Sequence, residues 1–333
     1  MPRLRRSDCD SPGITRRRAG KGFVYLDADG NRIADQDVIE RIKGLVIPPA
    51  WTDVWICPRD NGHIQATGID DAGRKQYLYH SKWSETQSAR KFETMLEFAR
   101  QLPRLRRAVV RDLDPADPGR ESVLACGVRL IDLGHFRVGG EQYAAENETY
   151  GVATIQKQHV SPGDRPDELR FEYTGKGSLE HSILIRDKAV RELGRRLLRR
   201  RSGPEDFLVF REGREWIDVT ADHINAYIKE NTDERFSAKD FRTWNGTVTA
   251  AANLAAAGMP GSARGRDRVI RQAVEAVAEE LGNTPAVARS SYIDPRVFDL
   301  YRSGQVISGS GMGRPSLKAL SATEKAVRDL LSA

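Results

Sequence analysis

Only three of the 333 residues are cysteine, and Cys9, Cys57 and Cys126 lie far apart with no Cys-x-x-Cys pair. Such an odd, scattered set is expected to persist as reduced thiols in a cytosolic protein, and it argues against a structural zinc site. No stretch approaches 18 consecutive apolar residues, so no membrane-spanning helix is expected. The Arg-rich N-terminus lacks the apolar segment of a secretory signal. Asp, Glu, His and Cys nowhere gather at metal-ligand spacing, so neither a metal nor another cofactor is expected. Internal repeats are lacking too.

What is there is the composition of a soluble globular protein, 39% hydrophobic and 30% charged, long enough for one large core or two ordinary domains. The net charge of +6 is unevenly placed. Residues 1–21 carry Arg3, Arg5, Arg6, Arg16, Arg17, Arg18 and Lys21 against Asp8 and Asp10. They read as a basic arm, which suits nucleic acid and equally suits a solvated tail.

Residues 22–82 read as a β-rich domain. Strands are expected over 23–26, 54–57, 64–68 and 74–80, with a short helix capped by Asp37. Along the last strand the period of two places Arg74, Gln76, Leu78 and His80 on one face and Lys75, Tyr77 and Tyr79 on the other. This is either an edge strand with packed tyrosines or a ribbon facing DNA, where Gln can read an adenine edge. The pattern then changes to a period of 3.6, and residues 83–333 read as a mainly helical domain. Ser84 is expected to cap its first helix and Pro103 to end it, and a second helix covers 122–136. Strands over 150–160, 169–173 and 179–185 predict a small antiparallel sheet, with Lys176 between two glycines at a hairpin tip. The fold class is therefore α+β.

Ser237 with Asp240 makes an approximate capping box that opens an Ala-rich helix, placing Lys239 and Arg242 in its early turns. The next helix ends at Gly282. Thr284-Pro285 then starts a short one as N-cap and first helical residue, and Tyr292 follows about two turns on. Taken alone this is also the pattern of a helical hairpin with a half-buried Tyr. The Gly/Ser run at 304–313 follows no strand, which excludes a dinucleotide-binding reading. A capped helix over 321–331 ends the chain.

Arg137, Lys176, Arg242, Asn283 and Tyr292 together suit phosphodiester transesterification. A tyrosine nucleophile has an ordinary pKa of about 10 and needs cationic neighbours. Two guanidiniums can hold non-bridging oxygens, a reaching lysine can protonate the leaving oxygen, and an Asn can donate one more hydrogen bond.

The chain resembles the small type IB DNA topoisomerases of the bacterial and poxvirus branch. The resemblance is carried, in family order, by Lys75-Gln76-Tyr77-Leu78-Tyr79, Phe136-Arg137-Val138-Gly139 and Glu146-Asn147-Glu148-Thr149-Tyr150-Gly151. It continues through Thr174-Gly175-Lys176-Gly177, Lys239-Asp240-Phe241-Arg242-Thr243-Trp244 and Ser291-Tyr292, and covers about 22 to 301. It implies that Tyr292 is the nucleophile, that Arg137, Arg242 and Asn283 bind the scissile phosphate, and that Lys176 is the general acid. Gln76, Tyr77, Tyr79, Tyr143 and Lys239 would contact DNA. Two departures stand out: the family commonly has His where Asn283 stands, and poxvirus members have a basic residue where Gly140 stands.

The resemblance implies relaxation of supercoiled duplex DNA through a 3′-phosphotyrosyl intermediate, strand rotation and religation, without ATP or metal. It implies a monomer clamping duplex DNA, preferably supercoiled, in the cytoplasm of a bacterium and associated with the nucleoid. A tyrosine recombinase would use a related Arg, Lys, Arg and Tyr set but places a helical domain before it. A non-catalytic DNA-binding protein would need only the basic arm and the Lys75–Tyr79 strand.

Overall fold

The computed structural model describes residues 3–140, 148–308 and 317–332. The chain divides into two compact units, Met1–Lys91 and Phe92–Ala333.

The first unit is built on a five-stranded antiparallel sheet in the order β2-β1-β3-β4-β5, with β1 Ile14–Ala19, β2 Gly22–Leu26, β3 Thr52–Ile56, β4 Ile64–Ile69 and β5 Lys75–Tyr79. Helix α1 (Gln36–Gly44) adds Ile42 to a small core of Ile14, Val54, Ile56 and Ala66. Its N-cap is Asp35, whose side chain accepts from the N–H groups of Asp37 and Val38, so Asp37 lies inside the first turn rather than at the cap.

The basic arm expected over 1–21 is in part a strand. Ile14–Ala19 pairs with β2 on one side and β3 on the other, with Ile14 buried. The arginines concealed the strand because its outward positions tolerate charge. Arg16 also has a structural role, donating to the carbonyls of Ile47, Pro48 and Trp51 and lying 4.2 Å from the Phe23 ring centroid. Further back, Arg5 exchanges backbone hydrogen bonds with Asn61 and His63.

Helix α2 runs from Ser81 to Asp112, so the boundary expected at residue 82 marks a helix start and not a change of core. The division falls after Lys91, because the first turns of α2 belong with the sheet unit: Trp83 packs edge-on against His63 at 4.8 Å. Ser84 is consequently inside the helix. Pro103 does not end it either. Proline cannot donate to the carbonyl four residues back, and here the guanidinium of Arg328 donates to that Ala99 carbonyl at 3.0 Å.

The second unit has one large apolar core. Among the described residues its helices, after the greater part of α2, are α3 Arg120–Gly134, α4 Lys188–Arg199, α5 Ala221–Asn231, α6 Ala238–Ala257, α7 Ala263–Leu281, α8 Pro285–Ser291, α9 Arg296–Arg302 and α10 Leu317–Ser332. A three-stranded antiparallel sheet has the order β6-β7-β8 (Val160–Pro162, Glu168–Gly175, Leu179–Arg186). Of the strand expected over 150–160 only its end is extended; Lys157–His159 is a 3-10 turn. A hairpin of β9 (Val209–Glu212) and β10 (Glu215–Asp218) completes the unit. The terminal helix α10 is held by charge as well as by Val327 and Leu331: Glu324 accepts from Arg106 at 2.6 Å and from the Trp244 indole at 3.0 Å.

Candidate active site

Four of the residues singled out in the sequence meet around the C-terminal end of α7. Gly282 adopts the left-handed conformation there (φ 57°), which ends the helix at little cost without a Cβ. The last carbonyls of a helix lack internal partners and carry partial negative charge. Two guanidiniums fill that role. Arg242 Nη2 donates to Leu281 O at 2.6 Å, and Arg137 Nη2 donates to Gly282 O at 2.8 Å.

Arg242 comes from α6, where the Ser237–Asp240 capping box fixes the helix start as the sequence indicated. It is 5% exposed, its Nη1 donates to His135 O at 2.7 Å, and it lies 5.2 Å from the Tyr292 ring centroid. Burial lowers its pKa, as does the neighbouring charge of Arg137, while a hydrogen bond with Tyr292 opposes both. A guanidinium stays charged through such a shift.

Arg137 follows α3 by three residues, beyond His135, which caps that helix in the left-handed region (φ 55°). Its Nη2 also donates to Asn283 Oδ1 at 3.0 Å, while Asn283 Nδ2 donates to Leu281 O at 3.2 Å. Tyr292 is the C-cap of α8, whose N-cap is Thr284 and whose first residue is Pro285. A Cβ on Gly246 of α6 would stand 2.6 Å from Tyr292 O and 3.1 Å from its Cβ, so that glycine lets the tyrosine backbone lie against α6.

The structure does not bring Lys176 into this group. It is exposed at the tip of the β7–β8 hairpin. The base of that hairpin touches the site, since His181 pairs with Tyr173 in register and its ring abuts Gly282. Lys176 is three residues beyond Tyr173, so its Cα stands roughly 10 Å further along the strand. Lys239 is exposed in the first turn of α6. On β5, Tyr77 and Tyr79 are 42% and 47% exposed and stack at 6.2 Å, with Lys75 Nζ 5.9 Å from the Tyr77 ring. Gln76 points to the other face and donates to Asp70 Oδ2 at 2.8 Å. Tyr143, with Glu146 and Asn147, lies outside the described residues.

Two histidines near the site escaped the sequence reading. His135 Nδ1 lies 2.9 Å from Glu280 Oε1, which ties the end of α3 to the end of α7. His181 stacks on Tyr173. Neither belongs to a local motif, and only the fold brings each to the site. Among the described residues no group of three or more His, Cys, Asp or Glu could hold a metal ion, and no helix is long and apolar enough to cross a membrane.

A buried and a half-buried guanidinium beside a tyrosine, with an amide next to them, make a surface fit for an anion being attacked by a phenol oxygen. Comparisons with known proteins give the family. Residues 80–301 match the family model described as the eukaryotic DNA topoisomerase I catalytic core, and residues 22–70 match that of the bacterial DNA topoisomerase IB N-terminal domain. The chain belongs to the type IB DNA topoisomerases. It is 31% identical to DNA topoisomerase 1B of Acanthamoeba polyphaga mimivirus, over 87% of this chain and 88% of the relative. It is 21% identical to DNA topoisomerase 1B of vaccinia virus (strain Copenhagen), over 80% of this chain and 83% of the relative. DNA topoisomerase 1 of Mycosarcoma maydis is 23% identical over 71% of this chain and 24% of its own length.

Proposed function

We propose that this topoisomerase relaxes supercoiled duplex DNA with Tyr292 as its nucleophile, forming a 3′-phosphotyrosine and releasing a 5′-hydroxyl. The observation that carries the reading is the stacking of the Arg242 guanidinium against Tyr292 beside Arg137 and Asn283. In-line attack by the phenol oxygen forms the tyrosyl–phosphorus bond and breaks the phosphorus–5′-oxygen bond. Arg137, Arg242 and Asn283 donate to the non-bridging oxygens as charge builds on them. Lys176 gives its proton to the departing 5′-oxygen, a role that requires the hairpin tip to swing toward the DNA it meets. After strand rotation the 5′-hydroxyl attacks the phosphotyrosine and Tyr292 leaves. The ester bond is exchanged rather than hydrolysed, so the cycle consumes no ATP and asks for no metal.

The same reading gives Gln76, Tyr77, Tyr79, Tyr143 and Lys239 contacts with duplex DNA, and gives the β-rich and helical domains the two jaws of a monomeric clamp. Gln76 must leave Asp70 to reach a base. The N-terminal match to a bacterial domain supports a bacterial setting, with the enzyme acting in the cytoplasm on the nucleoid. Relaxation of a supercoiled plasmid lacking recombination sites, in excess EDTA and without ATP, tests this against the recombinase reading. Relaxation without recombinant products is expected; complete dependence on added magnesium contradicts the mechanism.

A further inference from the structure

His181 is a group at the site to which the proposed chemistry gives no role. Its ring stacks on Tyr173 with centroids 5.1 Å apart and 24° between planes, and Tyr173 stacks on Phe136 at 5.8 Å and 15°. Two glycines make room for the imidazole. A Cβ on Gly175 would stand 2.4 Å from its Cδ2 and 2.5 Å from its Nε2. A Cβ on Gly282 would stand 2.6 Å from its Cε1 and 3.2 Å from its Nε2. Any side chain at either glycine would collide with the ring. The end of this column and the two glycines that flank its imidazole each adjoin a residue of the site: Phe136 precedes Arg137, Gly175 precedes Lys176, and Gly282 precedes Asn283.

We propose that His181 is a positioning residue, a flat wedge between Gly175 and Gly282 that sets where the hairpin tip, and with it Lys176, stands relative to the turn at Asn283. The inference rests on the reading of Lys176 as general acid. A two-stranded tip gains little rigidity from its own hydrogen bonds, so the last packed side chain below it governs where the tip points. His181 is that residue: Leu179 and Glu180, nearer the turn, are exposed. Misplacing a reacting group by about 1 Å can cost on the order of 10²-fold in rate. A neutral wedge suits the place, because the groups facing it are Arg137, Arg242, Glu180 and Tyr173. Burial holds the imidazole below its ordinary pKa, the two arginine charges add to this, and Glu180 opposes.

The test compares cleavage of two suicide oligonucleotides, one ordinary and one with sulfur as the 5′-bridging atom, which departs without a proton. His181→Ala is expected to slow cleavage of the ordinary substrate by up to about 10²-fold and to cleave the sulfur substrate at close to the parent rate. Lys176→Ala is run beside it. If the sulfur substrate fails to rescue Lys176→Ala, the general-acid reading itself is wrong. If it rescues Lys176→Ala while His181→Ala stays equally slow on both, His181 serves the phosphate pocket and the inference is overturned. An ordinary rate for His181→Ala on the oxygen substrate overturns it as well. Gly175→Ala, whose backbone is not left-handed, expels the ring by another route and keeps the test valid should His181→Ala unfold. It should show the same rescue, and Gly175→Ala with His181→Ala should be no slower than His181→Ala alone. Multiplying losses would mean that the ring is not seated there.

Discussion

Arg137 and Arg242 donate to the carbonyls of successive residues, Gly282 and Leu281, at the C-terminal end of α7. Two like charges side by side would repel, and a buried pair would be costly to hold. The negative end of the helix, the carbonyl of His135 and the amide oxygen of Asn283 offset that repulsion.

Arg242→Lys should be a severe change. One ammonium cannot span the His135 and Leu281 carbonyls as the planar fork does, and it leaves the Tyr292 ring uncovered. Single-turnover cleavage should fall on the order of 10²–10³-fold, the usual loss for one transition-state donor. A rate within a factor of a few of the parent would remove Arg242 from the phosphate site.

Asn283 offers a ranking. Asn283→Ala loses a donor to the phosphate and an acceptor for Arg137, and should slow cleavage by less than about 10³-fold because both arginines remain. Asn283→Asp keeps the contact with Arg137 but presents an acceptor-only carboxylate that repels the phosphate. It should be slower than Ala at pH 8 and partly recover as the pH falls and the carboxyl protonates, whereas Asn283→His should remain active. Cleavage rates against pH on one oligonucleotide decide the order, and an Asp variant matching the parent at pH 8 would place Asn283 away from the phosphate.

Much of this site was legible because it is built from short local signals. The Gly282 stop, the Thr284-Pro285 start and the Ser237–Asp240 box are capping chemistry, and each stands where the sequence put it. The three-stranded sheet and the alternation of Lys75, Tyr77 and Tyr79 on β5 were legible for the same reason. What sequence could not supply are contacts across long separations. Pro103 reads as a helix end until Arg328, 225 residues later, is seen to cover Ala99 O. The arginines of β1 read as an arm until Arg16 is seen against three carbonyls. The β9–β10 hairpin and α5 were not anticipated, their strands being four residues each and weakly patterned.

The Pro103 bridge is testable by stability alone. Arg328→Ala should lower unfolding free energy by about 1–3 kcal/mol, the cost of an unsatisfied buried carbonyl. Pro103→Ala supplies an N–H four residues after Ala99, so in the Arg328→Ala background it should restore part of that loss. Urea unfolding of the two single variants and the double variant measures the coupling; additive effects would separate the two residues.

Asp70 gives a pH signature in the first unit. Backbone and then side-chain hydrogen bonds from Arg74, with one from Gln76, hold its carboxyl at about 2 against an ordinary 3.8. A value lowered by folding stabilises the native state above about 3.8, and that contribution disappears as the pH falls to about 2. An NMR titration should find the Asp70 midpoint near 2, and Asp70→Asn should erase this share of the acid sensitivity. A midpoint near 3.8 would show that the Arg74 and Gln76 contacts do not persist in solution.

The central claim is that Tyr292 carries the cleaved strand. Incubation with a suicide substrate in EDTA, denaturation and mass spectrometry of the adduct should locate a 3′-phosphoryl DNA fragment on Tyr292, and Tyr292→Phe should yield neither adduct nor relaxation. An adduct on another residue, or one that survives in Tyr292→Phe, would contradict the account.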